Sequence, residues 1–139
     1  AALVAGAWYL FAAPKEPSAM PGSISGTVMY PSEGIPPLRV CAVPAKGPDS
    51  AAVCIETEAS PPASAAFAIK KLAPGDYYVY AQIKDPVALG SDIPATFKAY
   101  YNEFVRCGLA QECKDTTRII VHVSAGADTP GIFPHDWYH

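Results

Sequence analysis

The side chains with the widest chemical reach in this chain lie near its C-terminal end. His135 and His139 stand four residues apart, with Asp136 between them, in the run P-H-D-W-Y-H. On a helix that spacing would put both imidazoles on one face, where they could share a metal ion. Pro134 directly precedes the pair and the surrounding tail has no helical period, so a metal site is not expected. His122, the third histidine, falls between Val121 and Val123 and is expected to face solvent from a strand. The chain contains no G-x-S-x-G, H-E-x-x-H, P-loop or G-x-G-x-x-G run. Neither catalysis nor a bound cofactor is expected, nor a small-molecule substrate.

The four cysteines are Cys41, Cys54, Cys107 and Cys113. None has the C-x-x-C or paired spacing of a zinc or haem site. An even number in a small strand-rich domain fits disulfides and an oxidising compartment. If residues 44–50 close a simple hairpin, position 41 falls opposite position 54. Opposed residues have Cα atoms about 4.5–5.5 Å apart, within disulfide range. The pairing is then Cys41 with Cys54, and Cys107 with Cys113 across the loop C-G-L-A-Q-E-C. Two buried free thiols at 41 and 54 are the alternative.

These residues need a frame, and the composition points to strands. The 139 residues include 15 prolines and 10 glycines, half the chain is apolar, and helix-length periodic segments are few. That favours one loop-rich all-β domain with extensions. The net charge is −3, with acids and bases scattered. No basic patch for nucleic acid and no polybasic run for anionic lipid is present.

The organising stretch is residues 67–81, F-A-I-K-K-L-A-P-G-D-Y-Y-V-Y-A. Phe67 and Ile69 share one face of a strand, and Tyr77, Val79 and Ala81 share one face of the next. Pro74-Gly75 supplies the turn between them, so the stretch reads as a hairpin. Tyr77, Tyr78 and Tyr80 are expected as sheet packing more than as a ligand platform. Further strands are expected at residues 23–30, 38–43, 52–57 and 116–123, with Ile119, Val121 and Val123 inward. Residues 58–64 read as a loop. Gly26, inside the first strand, marks a bulge or a close backbone approach.

The pattern F-x-I-x-x-L-x-P-G-x-Y-x-V-x-A resembles the signature of carboxypeptidase-regulatory-like domains, the small transthyretin-like (prealbumin-like) β-sandwiches. Gly22, Ile24, Gly26 and Val28 match the G-x-I-x-G-x-V opening strand of such domains. Lys71 departs from the pattern, standing where a small residue is common. The resemblance implies an antiparallel β-sandwich of about seven strands. It implies bracing or binding rather than chemistry, and fold alone licenses no function.

Residues 1–13, A-A-L-V-A-G-A-W-Y-L-F-A-A, carry no charge. As a helix they would span about 20 Å, short of the ~30 Å hydrocarbon core. A membrane-anchor helix is the preferred reading. Leu3, Val4 and Leu10 would lie in lipid, with Trp8, Tyr9 and Phe11 at the interface. A signal-peptide remnant and a core strand or helix of a soluble domain are the alternatives. Residues 14–22 form a Pro-rich spacer of semi-rigid extended chain. The sandwich is expected over residues 23–125, with an aromatic tail at 126–139.

Residues 84–106 read as a long insertion, and 97–106 fit either a strand or one or two helical turns. Loops of that length usually face a partner. Phe97, Tyr100, Tyr101 and Phe104, with Phe133, Trp137 and Tyr138 of the tail, are the candidate partner-binding residues. The expected role is a non-catalytic accessory subunit outside the cytoplasm. It would be tethered to the membrane by residues 1–13 and would brace other protein subunits of a respiratory, photosynthetic or transport assembly. The alternatives are a fibre subunit that inserts residues 1–13 into the next copy, or a carbohydrate- or peptide-binding module with stacked aromatics.

Overall fold

Alternating apolar residues give this chain short strands, and two sheets form to bury their inward faces. A computed structural model describes residues 20–90, 93–94 and 96–139. The apolar segment at 1–13, with its expected anchor helix, lies outside the described residues. The strands are β1 (Gly22–Val28), β2 (Leu38–Pro44), β3 (Val53–Glu56), β4 (Ala65–Leu72), β5 (Gly75–Ile83), β6 (Lys98–Tyr100), β7 (Val121–Val123) and β8 (Asp128–Ile132). Two single helical turns, α1 (Pro86–Leu89) and α2 (Glu103–Arg106), lie between β5 and β7. One sheet has the order β4-β1-β8; the other runs β3-β2-β5, with β6 and β7 sharing the far edge of β5. Ile24, Val28, Phe67, Ile69 and Leu72 of the small sheet meet Leu38, Val40, Val79 and Ala81 of the large one. The molecule is an all-β sandwich.

The stretch read as a hairpin is not one. β4 pairs with β1 and β5 pairs with β2, so residues 73–74 carry the chain from one sheet to the other. Leu72 and Tyr77 both point into the core from opposite layers, and the Tyr77 hydroxyl donates to the Ala73 carbonyl across the arch. An arch and a hairpin share the same alternation and the same Pro-Gly turn; what separates them is which neighbours supply the ladder hydrogen bonds.

Lys71 explains part of this geometry. Its φ is +61°, in the left-handed region, and the β1–β4 register slips between Gly22–Leu72 and Ile24–Ile69. The extra residue on β4 is a bulge that turns the strand toward the arch. A side chain in that region costs about 1–2 kcal/mol, which is why a small residue suits the position. Lys71→Gly is therefore expected to stabilise the domain by about 0.5–1 kcal/mol, after the entropy that glycine adds to the unfolded chain. Urea denaturation reads this directly, and an unchanged midpoint would contradict the left-handed geometry.

Three other expectations change. First, the sandwich is not wholly antiparallel: β8 runs parallel to β1, with Ile24 opposite Thr129 and Gly26 opposite Ile132. The chain leaves β7 in the large sheet and crosses through residues 124–127 to the small one, arriving in the direction of β1. Part of the expected tail is thus a sheet strand. Second, of residues 116–123 only the last three pair with β5. Before them Arg118 bridges to Asn102, the Ile119 N–H donates to the Tyr101 carbonyl, and Ile119 is only half-buried. Third, residues 97–106 contain both a strand and a helical turn. Within the expected loop 58–64, Ser60 exchanges backbone hydrogen bonds with buried Ile35 at 2.8 and 2.9 Å.

Candidate functional site

The disulfide register read from the 44–50 loop is present: Cys41 lies opposite Cys54 and is bonded to it, and Cys107 is bonded to Cys113. Cys41 packs with Val43 and Tyr80 in a second cluster, on the outer face of the large sheet.

The candidate partner residues converge on the flank built by β6, α2 and the chain after β8. Asn102 caps α2: its Oδ1 accepts from the Val105 N–H at 3.2 Å. Its Nδ2 donates to Asp136 Oδ2 at 2.7 Å. Asp136 is 1% exposed, and Asn102 is buried with it. The Asp136 carboxylate also accepts from the Tyr138 N–H at 3.0 Å and faces His139 Nδ1 at 3.1 Å, while its own N–H donates to the Tyr100 carbonyl. A buried carboxylate is tolerated only when its oxygens are satisfied in this way. The result is a clasp that fixes the tail onto β6.

Trp137 completes the clasp. Its ring packs on Tyr30 and Phe97, with centroids 5.2 and 5.1 Å away, and its indole N–H donates to the Met29 carbonyl. Phe104 lies beneath Tyr138 and His139. Trp137 and Phe104 are thus buried against their own chain and offer a partner little surface. Tyr100 and Tyr101 are half-buried and Tyr138 is exposed, so these remain accessible on the flank. Phe133 is also exposed but sits apart, beside His135.

Arg118, which no motif in the sequence singles out, places its guanidinium carbon 3.8 Å from the Tyr100 ring centroid. Lys98 lies 4.4 Å above Tyr80 in the same manner. Such contacts hold a cation over an aromatic face. The Tyr80 and Tyr100 rings are inclined at 52° to each other, so they form no flat stacking platform. The strand pattern likewise gives no sign that Asn102 and Asp136 are buried together. The available cue was an asparagine directly before E-F-V-R, a helix-cap position.

His135 and His139 take separate partners. The His135 Nε2–H donates to the Thr27 carbonyl at 2.9 Å, whereas His139 faces Asp136. Among the described residues no group of three His, Cys, Asp or Glu side chains is placed to hold a metal ion, and no helix is long and apolar enough to cross a membrane. His122 is exposed and pairs with Asp76 at 2.8 Å.

Burial pushes the His135 imidazole below the ordinary histidine range, and the Thr27 carbonyl only partly opposes this. The unfolded chain then binds the proton more readily than the folded one below about pH 6.5. Stability from this group is complete above the unfolded value and is lost as pH falls toward the folded one. His135→Gln is expected to flatten the fall in urea midpoint between pH 7 and pH 5; an unchanged slope would place the imidazole in water.

Compared with known proteins, the chain matches no family profile, no curated protein and no solved structure.

Proposed function

We propose that this protein is a non-catalytic accessory subunit, transthyretin-like in its sandwich, that braces a larger assembly outside the cytoplasm. Residues 1–13 tether it to the membrane and the β6–α2–tail flank meets a neighbouring subunit. The observation that carries this reading is the clasp. Buried Asp136 and Asn102 fix the tail on β6, leaving Tyr138 exposed over Phe104 and, on the same flank, Arg118 over the half-buried Tyr100 ring. Tyrosine and arginine on a preorganised surface are the residues that dominate protein interfaces. The two disulfides favour an oxidising compartment. The F-x-I-x-x-L-x-P-G-x-Y pattern and the two-sheet β-sandwich support the transthyretin-like assignment.

Deleting residues 1–13 is expected to move the protein from the membrane fraction to the soluble fraction, with the same thermal midpoint. Retention of the shortened protein in washed membranes would refute the tether.

A further inference from the structure

The two disulfides differ in what an incoming thiol can reach and what it can displace. Cys41 is fully buried, packed with Val43 and Tyr80, and only Cys54 of that pair is exposed. In thiol–disulfide exchange the attacked sulfur keeps the incoming thiol and the other sulfur departs as a thiolate. Attack on Cys54 would therefore release the Cys41 thiolate into an apolar cluster, where burial raises its pKa and disfavours the anion. Attack on Cys41 itself is blocked by its burial. Cys107 is exposed and Cys113 is half-buried, both on the chain between α2 and β7. Here the attacked sulfur is accessible and the departing one meets water.

Two further features favour opening at 107–113. This bridge joins residues 6 apart in sequence, against 13 for Cys41–Cys54, and in the chain-entropy model the smaller ring gains less from closure. Inside the ring Gly108 and Leu109 are consecutive left-handed residues, with φ of +77° and +59°. Glycine adopts that conformation at no steric cost, but leucine does not. The closed ring holds Leu109 against its preference, and opening the bridge frees it.

We propose that Cys107–Cys113 is a thiol–disulfide exchange site that a dithiol opens in the folded protein, whereas Cys41–Cys54 is structural. One thiolate of the dithiol attacks Cys107 Sγ; the bond to Cys113 breaks, and Cys113 leaves as a thiolate that takes up a proton. The second thiolate of the dithiol attacks the mixed disulfide and frees Cys107. Two electrons and two protons pass to the cysteines and the dithiol becomes a disulfide; the reverse reaction with that disulfide closes the ring. The freed Cys107 thiol finds an acceptor in place, since its Sγ lies 3.1 Å from the Glu103 carbonyl oxygen. The site adjoins the clasp. The Cys107 and Leu109 N–H groups donate to the Glu103 and Phe104 carbonyls, each at 3.0 Å, and Phe104 lies beneath Tyr138 and His139. Opening the ring therefore loosens the C-terminal side of α2 and the floor under the tail. The exchange site stands on the two bridges alone and does not depend on the brace reading.

The test titrates the full chain with dithiothreitol, without denaturant and near neutral pH, then traps thiols with iodoacetamide before tryptic digestion. The peptide of residues 107–114 holds Cys107 and Cys113, and those of 40–46 and 47–70 hold Cys41 and Cys54. Peptide 107–114 is expected to be alkylated at about tenfold lower dithiothreitol than the other two, with the circular dichroism unchanged. Amide exchange over residues 103–113 is expected to rise while that of β2 and β5 stays the same. Leu109→Gly, which removes the left-handed cost from the ring, is expected to raise the dithiothreitol needed by about threefold. The double variant Cys107→Ser, Cys113→Ser is expected to stay folded and to show the exchange pattern of the opened protein. Simultaneous opening of both bridges, earlier opening of Cys41–Cys54, an unchanged titration for Leu109→Gly or an unfolded double-serine variant would each overturn the proposal.

Discussion

Gly26→Ala is expected to destabilise the domain by about 3 kcal/mol or more, toward the upper end of overpacking costs. A β-carbon at position 26 would lie 1.7 Å from the Ile132 carbonyl oxygen, and 2.6 and 2.7 Å from two further backbone atoms of Ile132. Every atom it meets belongs to the main chain, so no rotamer change relieves the clash. β1 is the central strand of its sheet, between β4 and β8, so β8 must move away or the ladder must part. For a domain of this size the thermal midpoint should fall by about 10 °C. A loss below about 1 kcal/mol at position 26 would mean that β8 does not lie against β1.

Trp137→Ala is expected to cost about 3–5 kcal/mol, the range for removing a buried aromatic side chain. The ring is 4% exposed and fills the space between Tyr30 and Phe97. Its loss also leaves the Met29 carbonyl without its indole donor. Trp137→Phe separates the two effects: it keeps much of the packing, and its cost should be closer to the ~1–3 kcal/mol of an unsatisfied buried acceptor. Urea denaturation followed by circular dichroism measures both. If alanine at 137 were tolerated with under 1 kcal/mol lost, the tail would not be part of the core. Because the same tail carries Tyr138, the alanine variant should also weaken any contact made through the β6–α2 flank.

Some of this structure was readable from the chain alone. The inward residues of β1, β2, β4 and β5 follow from alternation, because a strand's side chains leave its two faces in strict turn. The Cys41–Cys54 bond was readable because a hairpin register is local: the loop length alone sets which residues face each other. Gly26 was readable as a bulge or a close backbone approach, the usual reasons for a glycine inside a strand, and it lies directly against the Ile132 backbone. The accessible flank was legible only in outline. Phe97, Tyr100, Tyr101, Phe104, Trp137 and Tyr138 do gather there, but exposure divides them, and the dividing residues Asn102 and Asp136 are 34 positions apart.

Local order along the chain therefore determined the strand periods, the turn positions, the first disulfide and the all-β character. Tertiary structure alone decided that residues 67–81 arch between sheets, that β8 lies parallel to β1, and that Asp136 is buried with its partners. The physical reason is the same in each case. Period and turn chemistry depend on a residue and its near neighbours. The choice of hydrogen-bonding edge, or of a donor for a buried carboxylate, depends on which distant surfaces bury the most apolar area together.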